Sequence, residues 1–149
     1  MGILKRLSVL AIALIALSAI GFCYRVVKCK AKAVYLIFED RFTEPFEVCY
    51  LLTNDKTLYK VTSHNERRIS FRMSDITRAL EKNGHEISDI ILIIHNHMPG
   101  TSRYFSTTDI QTWYDFKAMG FTGNYYLLYQ TGVGHIIYEL LEDEKKEKK

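Results

Sequence analysis

The chain has 149 residues, of which 48% are apolar and 25% charged, and this suits one globular domain with an appendage. The net charge of +3 is unevenly divided, because residues 1–32 hold six basic and no acidic residues while the remainder has a net charge of −3. A mildly acidic domain of this kind excludes electrostatic nucleic-acid binding as its main function. Three cysteines without a Cys-x-x-Cys pair argue against a disulfide framework and fit a reducing compartment.

The N-terminal segment is apolar from Leu7 to Tyr24. A helix of this length spans about 27 Å, which is close to the hydrocarbon thickness of a bilayer. A basic cluster follows it, as is typical of a stop-transfer anchor: Arg25, Lys28, Lys30 and Lys32. We therefore predict a single-pass membrane anchor in residues 1–32, with the positive-inside bias placing the following domain in the cytoplasm. The alternative is a signal peptide cleaved near Ala19-Ile20-Gly21, which gives a secreted or periplasmic domain.

The domain itself is predicted from residue 33 to residue 142, with a charged tail at 143–149. Apolar periodicity and turn residues predict the following elements in chain order: a strand at Ala33–Phe38, a strand at Phe46–Thr53 with a hairpin partner at Leu58–Ser63, a helix beginning at Ser74, a buried strand at Ile87–His95, a helix at 106–118, and strands at Asn124–Gln130 and His135–Leu141. This order predicts an α/β (α+β) domain, a mixed β-sheet flanked by helices.

The motif that carries chemistry lies between the buried strand and the second helix. The apolar run 90–94 ends in His95-Asn96-His97, and residues two apart on a strand point to the same face, so both imidazoles can converge on one point. After the turn at Pro99-Gly100, a helix begins near Ser106 with Asp109 in its first turn. Two nitrogen ligands and one carboxylate with an open fourth position are the layout of a catalytic zinc centre.

Each of these residues also has an ordinary structural explanation. His95 and His97 could simply close a strand, and Ser106-x-x-Asp109 is also the pattern of a helix capping box. The metal site and the cap are compatible, because a cap also fixes where Asp109 points. Glu47 could face solvent on the hairpin. The remaining histidines lie in or beside loops, and we predict them to face solvent: His64, His85 and His135.

The combination resembles the JAMM (JAB/MPN) metalloprotease family, and His95-Asn96-His97 is most similar to its RadC-like bacterial branch. Pro45-Phe46-Glu47, followed by an apolar run, resembles the glutamate-bearing strand of that family. The resemblance covers roughly Ala33 to Glu142. One departure is that eight residues separate His97 from Ser106, where the family usually has seven.

The resemblance implies a deaminase-like three-layer domain and a zinc-dependent hydrolase of peptide or isopeptide bonds. Zinc would be held by His95, His97 and Asp109, and Ser106 would donate a hydrogen bond to the oxyanion. Glu47 would act as general base and then acid, with Glu44 as the alternative catalytic acid. Glu44 precedes a proline and is predicted to face solvent. The implied partner is a polypeptide substrate, a class that includes ubiquitin-like proteins. No nucleic-acid partner is implied. Two alternatives remain open: a non-catalytic MPN-like interaction scaffold, and a membrane-linked regulator with a structural zinc.

Overall fold

A computed structural model describes residues 24–65 and 67–143. Its strands are β1 (Tyr24–Lys28), β2 (Cys49–Thr53), β3 (Leu58–Val61), β4 (Ile90–His97), β5 (Asn124–Gln130) and β6 (His135–Glu142). Its helices are α1 (Lys32–Phe38), α2 (Met73–Glu81) and α3 (Thr107–Ala118), with a 3-10 turn at Ile87–Asp89. The strands form one mixed sheet in the order β1-β6-β5-β4-β2-β3. The predicted fold class, a mixed sheet flanked by helices, is therefore confirmed.

The isoleucine-rich strand β4 lies inside the sheet, as its composition predicts. It pairs antiparallel with β2, where Cys49 lies opposite His95, and parallel with β5, where His97 lies beside Tyr129. Every residue of β4 except Ile91 is buried. The strand begins at Ile90 instead of Ile87, because Ile87–Asp89 forms the 3-10 turn before it.

Helices cover both faces of the sheet within Val26–Leu141, which forms one compact unit. Alternate strand residues such as Ile93 and Leu127 pack with α2 and α3 in one buried cluster. Their neighbours, such as Ile94 and Leu128, pack with α1 in a second cluster. This alternation is what a strand requires when both of its faces are covered. The histidines of β4 share the face of Ile93, so they point toward the α2–α3 side.

The prediction of a strand at Ala33–Phe38 is wrong, because this segment is helix α1. Its uninterrupted apolar run fits either element in sequence. In the structure Val34 and Phe38 are buried against the sheet, and Leu36 and Ile37 are exposed, which is the spacing of an amphipathic helix. The sheet includes β1, which lies ahead of the predicted start at residue 33. Helix α2 begins at Met73 with Arg72 as its N-cap, so Ser74, predicted to cap the helix, lies in its first turn.

The predicted membrane anchor lies outside the described residues, apart from Tyr24, which is the first residue of β1. None of the helices in residues 24–65 and 67–143 has the length and hydrophobicity needed to cross a bilayer.

Candidate metal centre

The two histidines at the end of β4 meet Asp109 from the first turn of α3. His95 Nε2 lies 3.2 Å from Asp109 Oδ1, and His97 Nε2 lies 3.4 Å from Asp109 Oδ2. All three residues offer ligand atoms that lie within 4.8 Å of one another. In a tetrahedral zinc site with bonds of about 2.05 Å, ligand atoms are about 3.3 Å apart. The structure therefore brings together the three residues predicted as metal ligands, at separations that suit one shared ion.

The ring of His97 is held in a defined orientation by the loop that follows β4. Its Nδ1 lies 2.8 Å from the carbonyl oxygen of Ser102. A carbonyl can only accept, so Nδ1 carries the proton and donates. In the neutral ring this leaves the lone pair on Nε2, the atom that faces Asp109.

His95 is buried without a hydrogen bond. It is 4% exposed, and neither ring nitrogen has a hydrogen-bond partner among the described residues. The 3.2 Å contact of Nε2 with Asp109 does not have the alignment of a hydrogen bond. An unsatisfied buried polar group costs about 1–3 kcal/mol, and a metal ion would satisfy Nε2. Aromatic rings surround this imidazole: Phe105 and Tyr125, at 5.9 and 5.8 Å between centroids.

Asp109 is positioned by the start of its own helix. Ser106 is the N-cap, its backbone N–H donates to Asp109 Oδ2 at 2.6 Å, and the backbone N–H of Asp109 donates to Ser106 Oγ at 3.1 Å. The predicted capping box is confirmed. Burial alone would raise the pKa of Asp109, but His95, His97 and Ser106 outweigh it and hold the pKa well below its usual range. Asp109 is therefore a carboxylate across the ordinary pH range.

The same carboxylate acts on His97. Burial works to lower the pKa of His97, and the neighbouring Asp109 more than offsets this, so the pKa is raised. A proton on Nε2 competes with a metal ion for the same lone pair. Metal affinity at this centre should therefore fall as the pH is lowered.

Glu47 lies two residues before β2, and continuing the β2–β4 register places it opposite His97. The pairing of Cys49 with His95 continues beyond β2, since the backbone N–H of Asn96 donates to the carbonyl of Val48 at 3.2 Å. Glu47 is 3% exposed. Burial raises its pKa to about 7, with His97 working in the opposite direction. A carboxyl with this pKa can both accept and release a proton near neutrality.

The other two candidate residues are separated by the structure. The hydroxyl oxygen of Ser106 accepts from the backbone N–H of Asp109 at 3.1 Å, and the Ser106 side chain is also a hydrogen-bond partner of the Asp109 carboxylate, whose pKa it lowers. Glu44 instead forms an ion pair with Lys60 of β3, which lowers the pKa of Glu44. Lys60 lies opposite Tyr50, a residue of the α1 face, so Glu44 is on the other side of the sheet from the histidines.

Sequence reasoning missed several residues around the centre. The carbonyl of Ser102 and the ring of Tyr125 carry no signal in the sequence that marks them. Phe105 does carry one, because an apolar residue directly before an N-cap often packs against the residue four positions into the helix. Here that residue is Ile110, which packs on the same cluster as Phe105.

One histidine predicted to face solvent is buried instead. His85 is 9% exposed, and its Nε2 lies 2.9 Å from Asp55 Oδ2. Its Nδ1 lies 2.5 Å from the hydroxyl of Tyr59. These contacts join the end of α2 to the β2–β3 hairpin. They belong to a different part of the sheet from the metal centre, so we interpret them as structural.

A comparison with protein-family models finds no family model that matches the chain, and no curated protein matches it in sequence. The assignment of function therefore rests on the residues and geometry of the centre. Two imidazole nitrogens and one carboxylate oxygen are a donor set that suits zinc, and the buried Glu47 beside them gives the set a proton acceptor.

Proposed function

We propose that this chain is a zinc-dependent hydrolase of peptide or isopeptide bonds. The observation that carries the proposal is the convergence of His95, His97 and Asp109 beside a buried glutamate with a pKa of about 7. A structural metal site needs no such proton acceptor, and structural zinc sites usually have four protein ligands. Three ligands and an adjacent carboxyl are the arrangement of a hydrolytic centre.

Each group at the centre has a separate role in the proposed hydrolysis. Bound zinc would supply Lewis acidity toward water and a substrate carbonyl. Glu47 accepts the proton of the attacking water and passes it to the leaving amine, which its pKa near neutrality allows in both directions. The hydroxyl of Ser106 donates a hydrogen bond to the oxyanion that develops on the substrate carbonyl. The rings of Phe105 and Tyr125 exclude water from the side of His95.

The resemblance to the JAMM (JAB/MPN) family, RadC-like branch, supports this reaction class and a polypeptide substrate, which includes ubiquitin-like proteins. A mixed sheet with helices on both faces is compatible with the deaminase-like three-layer domain of that family. The capping box at Ser106–Asp109 also supports the proposed role of Asp109 as a metal ligand, because the cap sets the direction of its side chain whatever the length of the preceding loop.

Zinc content and activity of the purified full-length chain test the proposal together. We expect one zinc per chain and hydrolysis of members of a panel of linear and isopeptide-linked polypeptides. Glu47→Gln should keep its zinc and lose at least about a hundredfold in turnover, the scale for removing a general acid–base group. Glu44→Gln is the matched control and should turn over like the parent.

Each other outcome has a distinct meaning. A parent chain that binds zinc but cleaves none of the panel would favour the non-catalytic MPN-like scaffold or the structural-zinc regulator. A chain without zinc would refute the metal centre. Loss of activity in Glu44→Gln but not in Glu47→Gln would refute the assignment of the catalytic glutamate.

We also propose that residues 7–24 anchor the chain in a membrane with the domain in the cytoplasm. Support for the anchor comes from the apolar run and the basic cluster after it. Protease treatment of intact cells tests the orientation, and we expect the domain to be protected. Digestion from outside, or recovery of a chain shortened at the N-terminus, would refute it.

A further inference from the structure

Arg103 lies in the loop between β4 and α3 and is held from two sides by tyrosines. Its Nε donates to the hydroxyl of Tyr138 at 2.8 Å, and its guanidinium carbon lies 5.8 Å from the centre of the Tyr104 ring. Tyr138 is buried on β6, whereas Tyr104 is 55% exposed. The two rings are themselves in contact, with centroids 5.6 Å apart. An exposed arginine is therefore held in one place by aromatic neighbours.

The charge of this arginine is not matched within the described residues. Nε is the only one of its nitrogens with an acceptor there, and no described carboxylate forms an ion pair with it. Other bases do have such partners, for example Arg78 with Asp75. The two terminal nitrogens keep four N–H donors in a planar fork, which matches the two oxygens of a carboxylate.

The loop connects this arginine directly to the metal centre. Ser102, the preceding residue, accepts the hydrogen bond from His97 Nδ1. Tyr129 lies beside His97 in the β4–β5 pair and also lies within electrostatic range of Arg103. Tyr138 pairs with Leu127 on the face that carries His95. Arg103 therefore follows the residue that holds His97 and is bonded to a tyrosine on the sheet face that carries both histidines.

Resting on the proposed function, we infer that Arg103, Tyr104 and Tyr138 form a substrate subsite for a carboxylate of the polypeptide. Tyr138 positions the guanidinium, Arg103 binds the carboxylate through its terminal nitrogens, and the exposed ring of Tyr104 packs against the adjoining side chain. The carboxylate comes from an acidic side chain or from a free C-terminus.

Binding by a zinc-loaded, full-length Glu47→Gln chain tests the subsite without turnover. The probes are three pools of blocked hexapeptides that differ by a fixed Asp, Asn or Lys, and a fourth pool without acids that has a free C-terminus. We expect the acidic pool to bind about fivefold more tightly than the Asn pool, on the scale of an exposed ion pair, and the preference to weaken with salt. If the free C-terminal pool has the advantage instead, the terminal carboxylate is the ligand.

In the Glu47→Gln chain, the further substitution Arg103→Gln should remove the preference for carboxylate. The control substitution Arg78→Gln, at an exposed position on α2, should leave that preference unchanged. Arg103→Lys should keep part of it, because the charge remains without the fork. Zinc content and far-UV circular dichroism of each variant verify that the loop and centre are intact. Equal binding of the Asp and Asn pools, or a preference that survives Arg103→Gln, would overturn the subsite. Hydrolysis by the parent without a charge preference refutes the subsite alone, and a charge preference without any hydrolysis refutes the proposed function alone.

Discussion

Replacing Glu47 with glutamine should stabilise the metal-free protein at alkaline pH. Burial raises the pKa of this carboxyl to about 7 from an ordinary value of 4.5. Between these two values the folded chain binds a proton that the unfolded chain has released, so the free energy of unfolding falls as the pH rises. At about 1.36 kcal/mol per pH unit, the loss is about 3 kcal/mol by pH 8. Glutamine does not titrate, so the Glu47→Gln variant does not lose this free energy of unfolding as the pH rises.

Urea unfolding of the metal-free parent and of Glu47→Gln, measured from pH 5 to pH 8, tests this expectation. The difference in the free energy of unfolding should be small at pH 5 and should grow in favour of Glu47→Gln to about 3 kcal/mol at pH 8. The histidines titrate in both chains, so their contribution largely cancels in the difference.

Glu44→Gln provides the control with the opposite sign. The partner Lys60 lowers the pKa of Glu44, so the contribution of this carboxylate is present above its ordinary pKa and is lost as the pH falls through the lowered value. The difference between this variant and the parent should therefore be flat from pH 5 to pH 8. A flat difference for Glu47→Gln as well would mean that Glu47 is not buried at the centre, and the continuation of the β2–β4 register would be wrong.

Three further outcomes follow from the structure. Asp109→Ala should abolish stoichiometric zinc, measured by elemental analysis, and full retention would refute the centre. Ser106→Ala should lose turnover and about 1 kcal/mol of the free energy of unfolding, whereas Ser106→Asn should lose turnover only, because asparagine also caps helices. Equal unfolding midpoints for these two variants would refute the capping role of Ser106. Gly123→Ala should lower the free energy of unfolding by about 2–3 kcal/mol, because a Cβ would lie 2.3 Å from the carbonyl oxygen of Ile91. Gly132→Ala, which meets no atom within 4 Å, should be neutral, and similar midpoints for both would contradict this packing.

The parts of the fold that the sequence predicts correctly are those determined by local chemistry. The isoleucine-rich run of β4 favours a buried strand over a helix, because isoleucine is β-branched, and two histidines on one face follow from strand geometry. The start of α3 follows from a hydroxyl and a carboxylate three residues apart, and it is confirmed as a capping box. Asp109 can be placed beside the histidines because the connecting loop is short and the cap fixes its direction.

The parts that the sequence does not determine depend on contacts between distant segments. Helix α1 is as apolar as a strand would be, and its state is set by how Val34 and Phe38 pack against the sheet. The local sequence around His85 predicts only a loop residue, because the contacts that bury it come from Asp55 and Tyr59 of the distant hairpin. The hydrogen bond from Arg103 to Tyr138 joins residues 35 positions apart and leaves no local pattern.

The loop between His97 and Ser106 is tied at two points next to the residues of the centre. Ser102 holds the ring of His97 through its carbonyl, and the backbone N–H of Ser106 holds Oδ2 of Asp109. Both tethers are backbone groups close to the residue that they orient, so neither depends on the number of residues elsewhere in the loop. Asp109 still directs Oδ1 toward His95. The segment between the two tethers, which carries Arg103, can therefore differ in length without displacing His97 or Asp109.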